Sequence, residues 1–166
     1  LGKITSYKVE ERGTKQLRKD IQIHLKHFKG KFTQEYPAYS SKTVKGKQLF
    51  EYARKGESVE LPTRKVEVKK IELLKIKKIT SKKLVTTLTN RVNKVKGDFR
   101  QDKIIKIWNA KIANQPKTFL VASFKISCTS GTYVRGIADS LGKHMGIPAL
   151  AFSIKRTKIG KFGRIR

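Results

Sequence analysis

The amino-acid sequence predicts an α+β fold in which a mixed or antiparallel sheet is flanked by helices. Three observations carry this prediction. Segments with helical apolar spacing and segments with strand-like alternation both occur, they follow one another without a regular strand–helix–strand order, and no internal repeat is present. With 166 residues, the chain is long enough to form one domain with its own core.

Two helices are predicted in the first third of the chain. The first begins at Thr14, which we take as the N-cap, and ends at Gly30. Its apolar face consists of Leu17, Ile21, Leu25 and Phe28. Residues 31–45 have no periodicity and are expected to form a loop, and residues 47–55 form a short helix that ends at Gly56.

A lysine-rich helical hairpin is predicted over residues 81–115. The first helix starts at Ser81, and its apolar face carries Leu84, Leu88, Val92 and Val95. Gly97 and Asp98 break this helix, and the apolar face of the second carries Ile104, Ile105, Trp108 and Ile112. Pro116 ends the hairpin, because proline lacks the amide hydrogen that would continue a helix.

Four strands are predicted around these helices. The first is an edge strand over residues 3–9, followed by a turn at Arg12-Gly13. The others cover residues 64–79, with an irregularity near residue 71, residues 119–127 and residues 150–158. A short helix from Val134 to Lys143 separates the last two strands.

The composition is strongly basic and points to a polyanionic partner. Lys and Arg number 40 against 12 Asp and Glu, so the formal net charge is +28. Charge of this density binds phosphate, which favours nucleic acid over a merely solvated lysine surface or a lysine-rich coding bias. No stretch approaches the ~20 apolar residues of a membrane span, and no signal-peptide pattern is found. The lone Cys128 excludes an internal disulfide and fits a reducing, cytoplasmic location.

Residues that commonly build metal or phosphate sites are sparse. His24 and His27 lie three apart on the first predicted helix and could share a metal ion, but no Cys or carboxylate accompanies them at ligand spacing. A solvated helix face is the favoured interpretation. Cys128 is expected to be a small buried apolar residue, and the glycine spacing of a P-loop is absent. No metal is therefore expected.

Aromatic and basic residues occur together in two places. Tyr36, Tyr39 and Tyr52 lie among Lys42, Lys45 and Lys47. Tyr133 and Arg135 follow a glycine turn at a predicted strand-to-helix corner. Aromatic rings stack on unstacked bases, and Arg and Lys bind phosphates, so the pattern suits RNA. For Tyr39, Phe50 and Tyr52, a role as ordinary core or rim aromatics is an equally good explanation.

These segments resemble motifs of the TruB family of RNA pseudouridine synthases. The family loop Pro-Pro-x-Tyr-Ser-Ala-x-Lys-x-x-Gly and helix end Tyr-x-x-Ala-Arg-x-Gly are similar to residues 36–46 and to Phe50-Glu51-Tyr52-Ala53-Arg54-Lys55-Gly56. The family segment Cys-Ser-x-Gly-Thr-Tyr-Ile-Arg is similar to Cys128-Thr129-Ser130-Gly131-Thr132-Tyr133-Val134-Arg135. With Arg64-Lys65-Val66, Asp139-Ser140-Leu141-Gly142 and Ile154-Lys155-Arg156, the landmarks follow the family order over residues 36–162.

The resemblance implies a pseudouridine-synthase-like fold. It also implies isomerisation of a uridine in the T-loop of tRNA to pseudouridine, without metal or organic cofactor. The family flips the target base into a pocket, where an aspartate is the nucleophile. By motif position, Arg135 would pair with that aspartate and Tyr133 would help to build the pocket.

Five further residues are implied to contact or shape the substrate site. Tyr39, Ser40 and Lys42 belong to the loop next to the RNA. Ile154 would form an apolar wall against the uracil ring, and Arg156 belongs to the same motif. The alternative for Arg135 is an ordinary helical pair with Asp139, which lies four residues later.

The chain departs from the family pattern where the nucleophile should be. The motif Gly-x-Leu-Asp-x-x-Ala-x-Gly-x-Leu is absent, and the aspartates occur in other contexts at Asp20, Asp98, Asp102 and Asp139. The loop lysine of the family falls at Thr43, one place after Lys42, and residues 81–115 are an insertion relative to compact members.

Residues 1–166 are therefore expected to be part of a catalytic domain, monomeric and inactive alone, that binds the T-arm of tRNA. The alternatives are a non-catalytic basic RNA-binding module and a basic ribosome-associated protein.

Overall fold

The computed structural model describes residues 13–97, 100–113 and 118–163 and confirms the α+β class. The α-helices in these ranges are α1 (Thr14–Leu25), α2 (Leu49–Lys55), α3 (Ser81–Asn93), α4 (Gln101–Ala113) and α5 (Val134–His144). The strands are β1 (Gly30–Glu35), β2 (Thr43–Val44), β3 (Lys47–Gln48), β4 (Thr63–Thr80), β5 (Thr118–Cys128), β6 (Lys158–Ile159) and β7 (Phe162–Gly163). A 3₁₀ turn, Lys26–Phe28, links α1 to β1.

The main sheet is antiparallel, with the strand order β1-β4-β5. β1 pairs with the first part of β4, from Glu35 opposite Thr63 to Gly30 opposite Val68. β5 pairs with the rest of β4, from Cys128 opposite Val68 to Thr118 opposite Thr80. Beyond Val68, β4 and β5 therefore continue as a two-stranded ribbon that leads to α3 and α4.

Two register shifts bring four apolar residues of β4 onto one face. They lie between Val68 and Lys70 and between Leu73 and Lys75, on either side of the predicted irregularity. Each shift adds one residue to β4, which reverses the side to which later side chains point. The residues that thereby pack into one core, despite spacings of three, are Val68, Ile71, Leu73 and Ile76.

The ribbon has a hydrophobic core on each face. On one face, α1 and α5 bury Leu17, Ile21, Leu25, Phe28, Val68, Ile137 and Leu141. On the other, α3 and α4 bury Ile79, Leu84, Leu88, Val92, Trp108 and Ile112. Alternate residues of β5 face the two cores, since Leu120, Ala122, Phe124 and Ile126 contact the first and Phe119 and Val121 the second. Residues 81–113, which contain α3 and α4, are called the helical insertion below.

The helical insertion also holds the segment that follows α5. Phe152 packs against the second core. Arg91 of α3 donates Nη1 to the carbonyl oxygen of Phe152 over 2.7 Å, and its guanidinium carbon lies 4.5 Å from the centre of the Phe152 ring. Residues 151–157 have no regular secondary structure, so this contact ties an irregular segment to the insertion.

The structure corrects three predictions near the helices. Gly13, not Thr14, is the N-cap of α1, and it provides no side-chain hydrogen bond. The predicted loop over residues 31–45 contains β1 and β2, because Gly30, with φ of +95°, begins a strand instead of ending a helix. Val95 is 46% exposed rather than buried, since α3 ends at Asn93.

The predicted strand at residues 150–158 is wrong. Its apolar alternation is real, but Phe152 packs on the helical insertion and no strand pairs with residues 150–157 within the described ranges. Pairing begins only at Lys158, opposite Gly163. The predicted strand at residues 3–9 and the stop at Pro116 lie outside the described residues. None of the helices in the described ranges has the length and apolar character that a membrane crossing requires.

Candidate functional site

Arg135 joins the two motif segments. It lies in the first turn of α5 and donates Nη2 to the carbonyl oxygen of Tyr39 over 3.1 Å, across 96 residues of sequence. Arg135 is exposed and Tyr39 is 57% exposed, so the contact lies at the protein surface. A guanidinium has five N–H donors, so the bond to Tyr39 leaves other N–H groups that can donate to an anion.

Gln34 fixes the backbone beside Arg135. Its Oε1 accepts a hydrogen bond from the amide of Tyr133 over 2.8 Å, and its Nε2 donates to the carbonyl oxygen of Tyr133 over 3.0 Å. A Cβ atom on Gly136 would lie only 3.1 Å from the same Nε2, so the glycine leaves room for this contact. β1 therefore holds both backbone groups of the residue that caps α5.

A tight turn connects β5 to this position. The Thr132 hydroxyl donates to the carbonyl oxygen of Thr129 over 2.8 Å, and the amide of Glu67 donates to the Thr129 hydroxyl over 3.0 Å. Gly131 has φ of +80°, and a Cβ atom there would collide with the guanidinium of Arg64. Arg64 therefore places its guanidinium directly over the turn that leads into α5.

The loop segment from Tyr36 to Gly56 is held by its own hydrogen bonds. The hairpin of β2 and β3 leads into α2, which starts with a capping box between Gln48 and Glu51. The Tyr52 hydroxyl donates to the carbonyl oxygen of Val44 over 3.0 Å and so ties α2 back to the hairpin. Gly56, with φ of +73°, ends α2 as predicted.

A cation and two aromatic rings form a row beside Arg135. The Lys42 ammonium lies 5.7 Å from the centre of the Tyr36 ring. That ring meets the Tyr133 ring edge-on, with 5.5 Å between their centres. The row brings together the two aromatic and basic groups that the sequence only suggested, and both rings are half-buried.

Ser40 occupies a different environment from its neighbours. Its side chain is buried at 6% exposure, and its hydroxyl has no hydrogen-bond partner among the described residues. Its carbonyl oxygen accepts from the amide of Phe50 over 3.1 Å. The Ser40 side chain is thus buried, unlike that of its exposed neighbour Tyr39.

Ile154 and Arg156 are not joined to Arg135 by any contact identified within the described ranges. Ile154 is 51% exposed, and Arg156 is also exposed. Both follow Phe152, which is anchored to Arg91 of the helical insertion. The structure therefore shows how their segment is held but gives no contact that assigns them a substrate role.

Asp139 is not the partner of Arg135. Asp139 Oδ2 lies 2.8 Å from Lys143 Nζ, and this hydrogen bond, together with the carboxylate charge, raises the pKa of Lys143. Both groups are exposed, so the pair adds little to stability. The helical pairing between Arg135 and Asp139 that we considered is thus wrong.

The three histidines of the chain lie together near the C-terminal ends of α1 and α5. The ring of His144 lies 5.5 Å from that of His27 and 6.4 Å from that of His24. Within the described ranges, however, no group of three His, Cys, Asp or Glu residues is arranged to hold a metal ion. The sequence placed His24 and His27 three residues apart but gave no sign that His144 approaches them.

Comparison with known proteins assigns the family. Residues 2–97 match the model of the TruB family pseudouridylate synthase (N terminal domain). The chain belongs to the TruB family. Among its relatives are proteins named tRNA pseudouridine synthase B from Shouchella clausii, 37% identical over 145 residues, and from Pediococcus pentosaceus, 33% identical over 133 residues. These alignments cover 87% and 80% of this chain but 36% and 33% of the relatives, so the chain spans about a third of their length.

Two residues of this TruB-family site had no role in the sequence-based hypothesis. Gln34 lies in a segment predicted to be a loop, and no pattern singled it out. Arg64 was noted only as a landmark before the long strand. Both become visible when the sheet places the end of β1 and the start of β4 beside the Thr129–Tyr133 turn.

Proposed function

We propose that this chain is part of the catalytic domain of a tRNA pseudouridine synthase and contributes Arg135 to the active site. The observation that carries the proposal is the hydrogen bond from Arg135 to Tyr39, which unites the two motif segments at one exposed place. The relatives named tRNA pseudouridine synthase B support the substrate class. We further propose that the partner is the T-arm of tRNA and that the protein works as a cytoplasmic monomer.

The proposed reaction converts a uridine into its carbon-linked isomer. The bond from ribose C1′ to N1 of uracil breaks, and a bond from C1′ to C5 forms, while the proton on C5 is lost and N1 gains one. Substrate and product have the same composition, so the balance requires no co-substrate. The base must leave its stack to react, and the half-buried rings of Tyr36 and Tyr133 offer apolar surface beside Arg135.

Arg135 would act on the carboxylate nucleophile of the family. A guanidinium carries its charge at all physiological pH values and can bind a carboxylate through two parallel N–H groups. A cation at ~4–6 Å favours the ionised carboxylate, which is the reactive form. The Gln34 clamp on Tyr133 restricts the backbone from which Arg135 extends, so the geometry exists before substrate binds.

The aspartates within the described residues are poor candidates for that nucleophile. Asp139 is paired with Lys143, Asp20 accepts a hydrogen bond from Gln16 over 2.7 Å, and Asp102 lies on α4 of the helical insertion. We therefore propose that the 166 residues by themselves do not isomerise uridine and that the nucleophile is encoded elsewhere in the reading frame.

The test uses a T-arm stem-loop RNA and compares this chain with the complete reading frame that encodes it. We expect pseudouridine and a fluorouridine adduct from the complete protein, and neither from the chain alone. In the complete protein, Arg135→Ala should lower turnover by roughly 100-fold or more with RNA affinity retained, since one preorganised charged group is lost. Arg18→Ala, on α1, is the matched control and should change turnover less than about threefold. Near-normal turnover of the Arg135 variant refutes its assignment, and product from the chain alone refutes the missing nucleophile.

A non-catalytic RNA-binding module is the second candidate, favoured by the net charge of +28 and by the absence of the family's aspartate motif. The complete protein would then bind the stem-loop without forming pseudouridine. Affinity for the stem-loop would also equal that for a plain stem, because phosphate contacts alone do not distinguish them.

A further inference from the structure

The helical insertion carries many cations and few acidic residues. Residues 81–113 contain nine Lys and Arg and two Asp. Its exposed lysines are Lys82, Lys83, Lys94, Lys96, Lys103, Lys106 and Lys111. Within the described ranges, no carboxylate lies within ion-pair distance of any of these seven. This charge is therefore available to an external anion.

The insertion presents these lysines on a rigid support. Leu88 is fully buried and Trp108 is 3% exposed in the core between α3, α4 and the ribbon. Arg91 is the exception among the cations, because it is engaged with Phe152 and has a structural role. Side chains on packed helices keep their spacing, which suits a partner with regularly spaced charges.

Helix stability does not explain the placement of two of these lysines. Lys82 and Lys83 lie in the first turn of α3, which contains no acidic residue. The partial positive charge at that end of a helix disfavours cations. An anionic partner that binds both lysines would offset this repulsion.

The surface residue types favour a double-helical over a single-stranded nucleic acid. Proteins that bind single strands combine cations with exposed aromatic rings on which bases stack. In the described parts of α3 and α4 the exposed side chains include Lys, Thr and Asn, which commonly contact phosphates, whereas the aromatic Trp108 is buried.

Strand β5 connects the core of the insertion to the segment that carries Arg135. Within β5, Phe119 packs in the insertion core, and Cys128, nine residues later, leads into the Thr129–Arg135 segment. These nine steps at ~3.3 Å each give a separation of about 30 Å along the strand. Phosphates of one strand are about 3.4 Å apart along the axis of B-form DNA and closer in A-form RNA, so this separation corresponds to roughly ten nucleotides of an RNA duplex.

We propose that the helical insertion binds the phosphate backbone of an RNA duplex, about one length of β5 (~30 Å) away from the segment that leads to Arg135. The role of Arg135 rests on the proposed function, but the cationic surface of the insertion does not. The insertion thereby contributes to affinity for RNAs whose helix extends well beyond the modified loop, and not for a minimal stem-loop.

The test measures binding of this chain to two RNA hairpins with the same loop, one with a five-base-pair stem and one with a stem about ten base pairs longer. The insertion variant replaces Lys82, Lys83, Lys103 and Lys106 with Gln. The control variant replaces Lys15, Lys19, Lys26 and Lys29 with Gln, which removes the same charge from exposed lysines of α1 and the turn after it. Unchanged emission from the buried Trp108 shows that the insertion variant is folded.

We expect the insertion variant to lose at least roughly tenfold affinity for the long hairpin at ~0.15 M salt and less than about twofold for the short one. The slope of log affinity against log salt should fall by about 0.9 for each lost phosphate contact, or roughly 2–4 in total. The control variant should weaken both hairpins equally and slightly. Equal losses from the two variants, or equal losses for the two hairpins, overturn the inference.

The same experiment separates this inference from the proposed function. If the long-hairpin effect occurs but the complete protein makes no pseudouridine, the surface assignment stands and the catalytic proposal fails. If the complete protein makes pseudouridine but the insertion variant binds both hairpins like the unmodified chain, the inference about the insertion fails and the catalytic proposal stands. If the emission of Trp108 in the insertion variant resembles that of the unfolded chain, a double variant, Lys103→Gln with Lys106→Gln, replaces it. Its loss of affinity for the long hairpin must still exceed that of the control double variant, Lys15→Gln with Lys19→Gln.

Discussion

Replacing Gln34 with Met should destabilise the protein and loosen the site. Methionine has a similar length but neither a hydrogen-bond donor nor an acceptor of comparable strength. The substitution removes both bonds to Tyr133, which measure 2.8 and 3.0 Å, and leaves a partly buried amide and carbonyl without partners. At ~0.5–1.5 kcal/mol for each bond, the free energy of unfolding should fall by about 2 kcal/mol.

Urea unfolding followed by circular dichroism measures this loss directly, and an unchanged denaturant slope would show that only stability has changed. In a chain of this size, a loss of ~2 kcal/mol corresponds to a decrease in melting temperature of roughly 4–8 °C. Gln16→Met is the matched control. Gln16 lies on α1 and bonds only to Asp20 four residues later, in an exposed position, so its loss should cost a few tenths of a kcal/mol. Equal stabilities of the two variants would refute the view that Gln34 holds the Tyr133 backbone.

Two further predictions concern the turn and the helical insertion. Gly131→Ala and Gly46→Ala should each cost about 1 kcal/mol in thermal unfolding, because φ is +80° and +79° respectively. Only Gly131→Ala must also displace the guanidinium of Arg64, which can move into solvent at little cost. If Gly131→Ala loses over ~1 kcal/mol more stability than Gly46→Ala, Arg64 is held in place by interactions besides its position over Gly131. Leu88→Ala should cost ~2–5 kcal/mol when unfolding is followed by tryptophan fluorescence, since the fully buried Leu88 packs in the same core as the single tryptophan. Leu74→Ala, at a side chain that is 56% exposed, should change stability by less than about 1 kcal/mol, and similar losses for the two leucines would contradict the assigned core.

Local patterns were sufficient for most helices. The apolar faces of α1 and α3 follow the 3.6-residue period, and Leu17, Ile21, Leu84 and Leu88 are buried as predicted. The glycine at position 56 ends α2 for a local reason, because it adopts the left-handed conformation of a C-cap. Such features depend on residues within a few positions of one another.

Strands were predicted less well, because a strand exists only if another strand pairs with it. The segment at residues 150–158 alternates like a strand but meets no neighbour for most of its length, and Phe152 is used by the helical insertion instead. Conversely, β1 contains Lys31, Thr33 and Glu35 on its exposed side and has no strong local signal, yet it pairs with six residues of β4.

The candidate site was likewise predicted from the sequence only in part. Tyr133 and Arg135 were identified from a motif, and the structure adds the hydrogen bond from Arg135 to the carbonyl oxygen of Tyr39. The hydrogen bonds between Gln34 and Tyr133 and the position of Arg64 over the turn could be found only once the sheet was known. The alternative interpretation of Arg135, a helical pair with Asp139, is wrong because Asp139 pairs instead with Lys143, four residues further along α5.

By itself, the sequence determined the α+β class, the strongly basic character, the TruB resemblance and the lack of the family's aspartate motif, since composition and motif spacing are properties of the chain alone. Only the tertiary structure decided that the two motif segments meet at Tyr39 and that the helical insertion packs on the face of the ribbon opposite to α1 and α5. The reason is physical. Which residues lie together across 96 positions depends on strand register and on two register shifts in β4, and side chains must pair and pack before that register is defined.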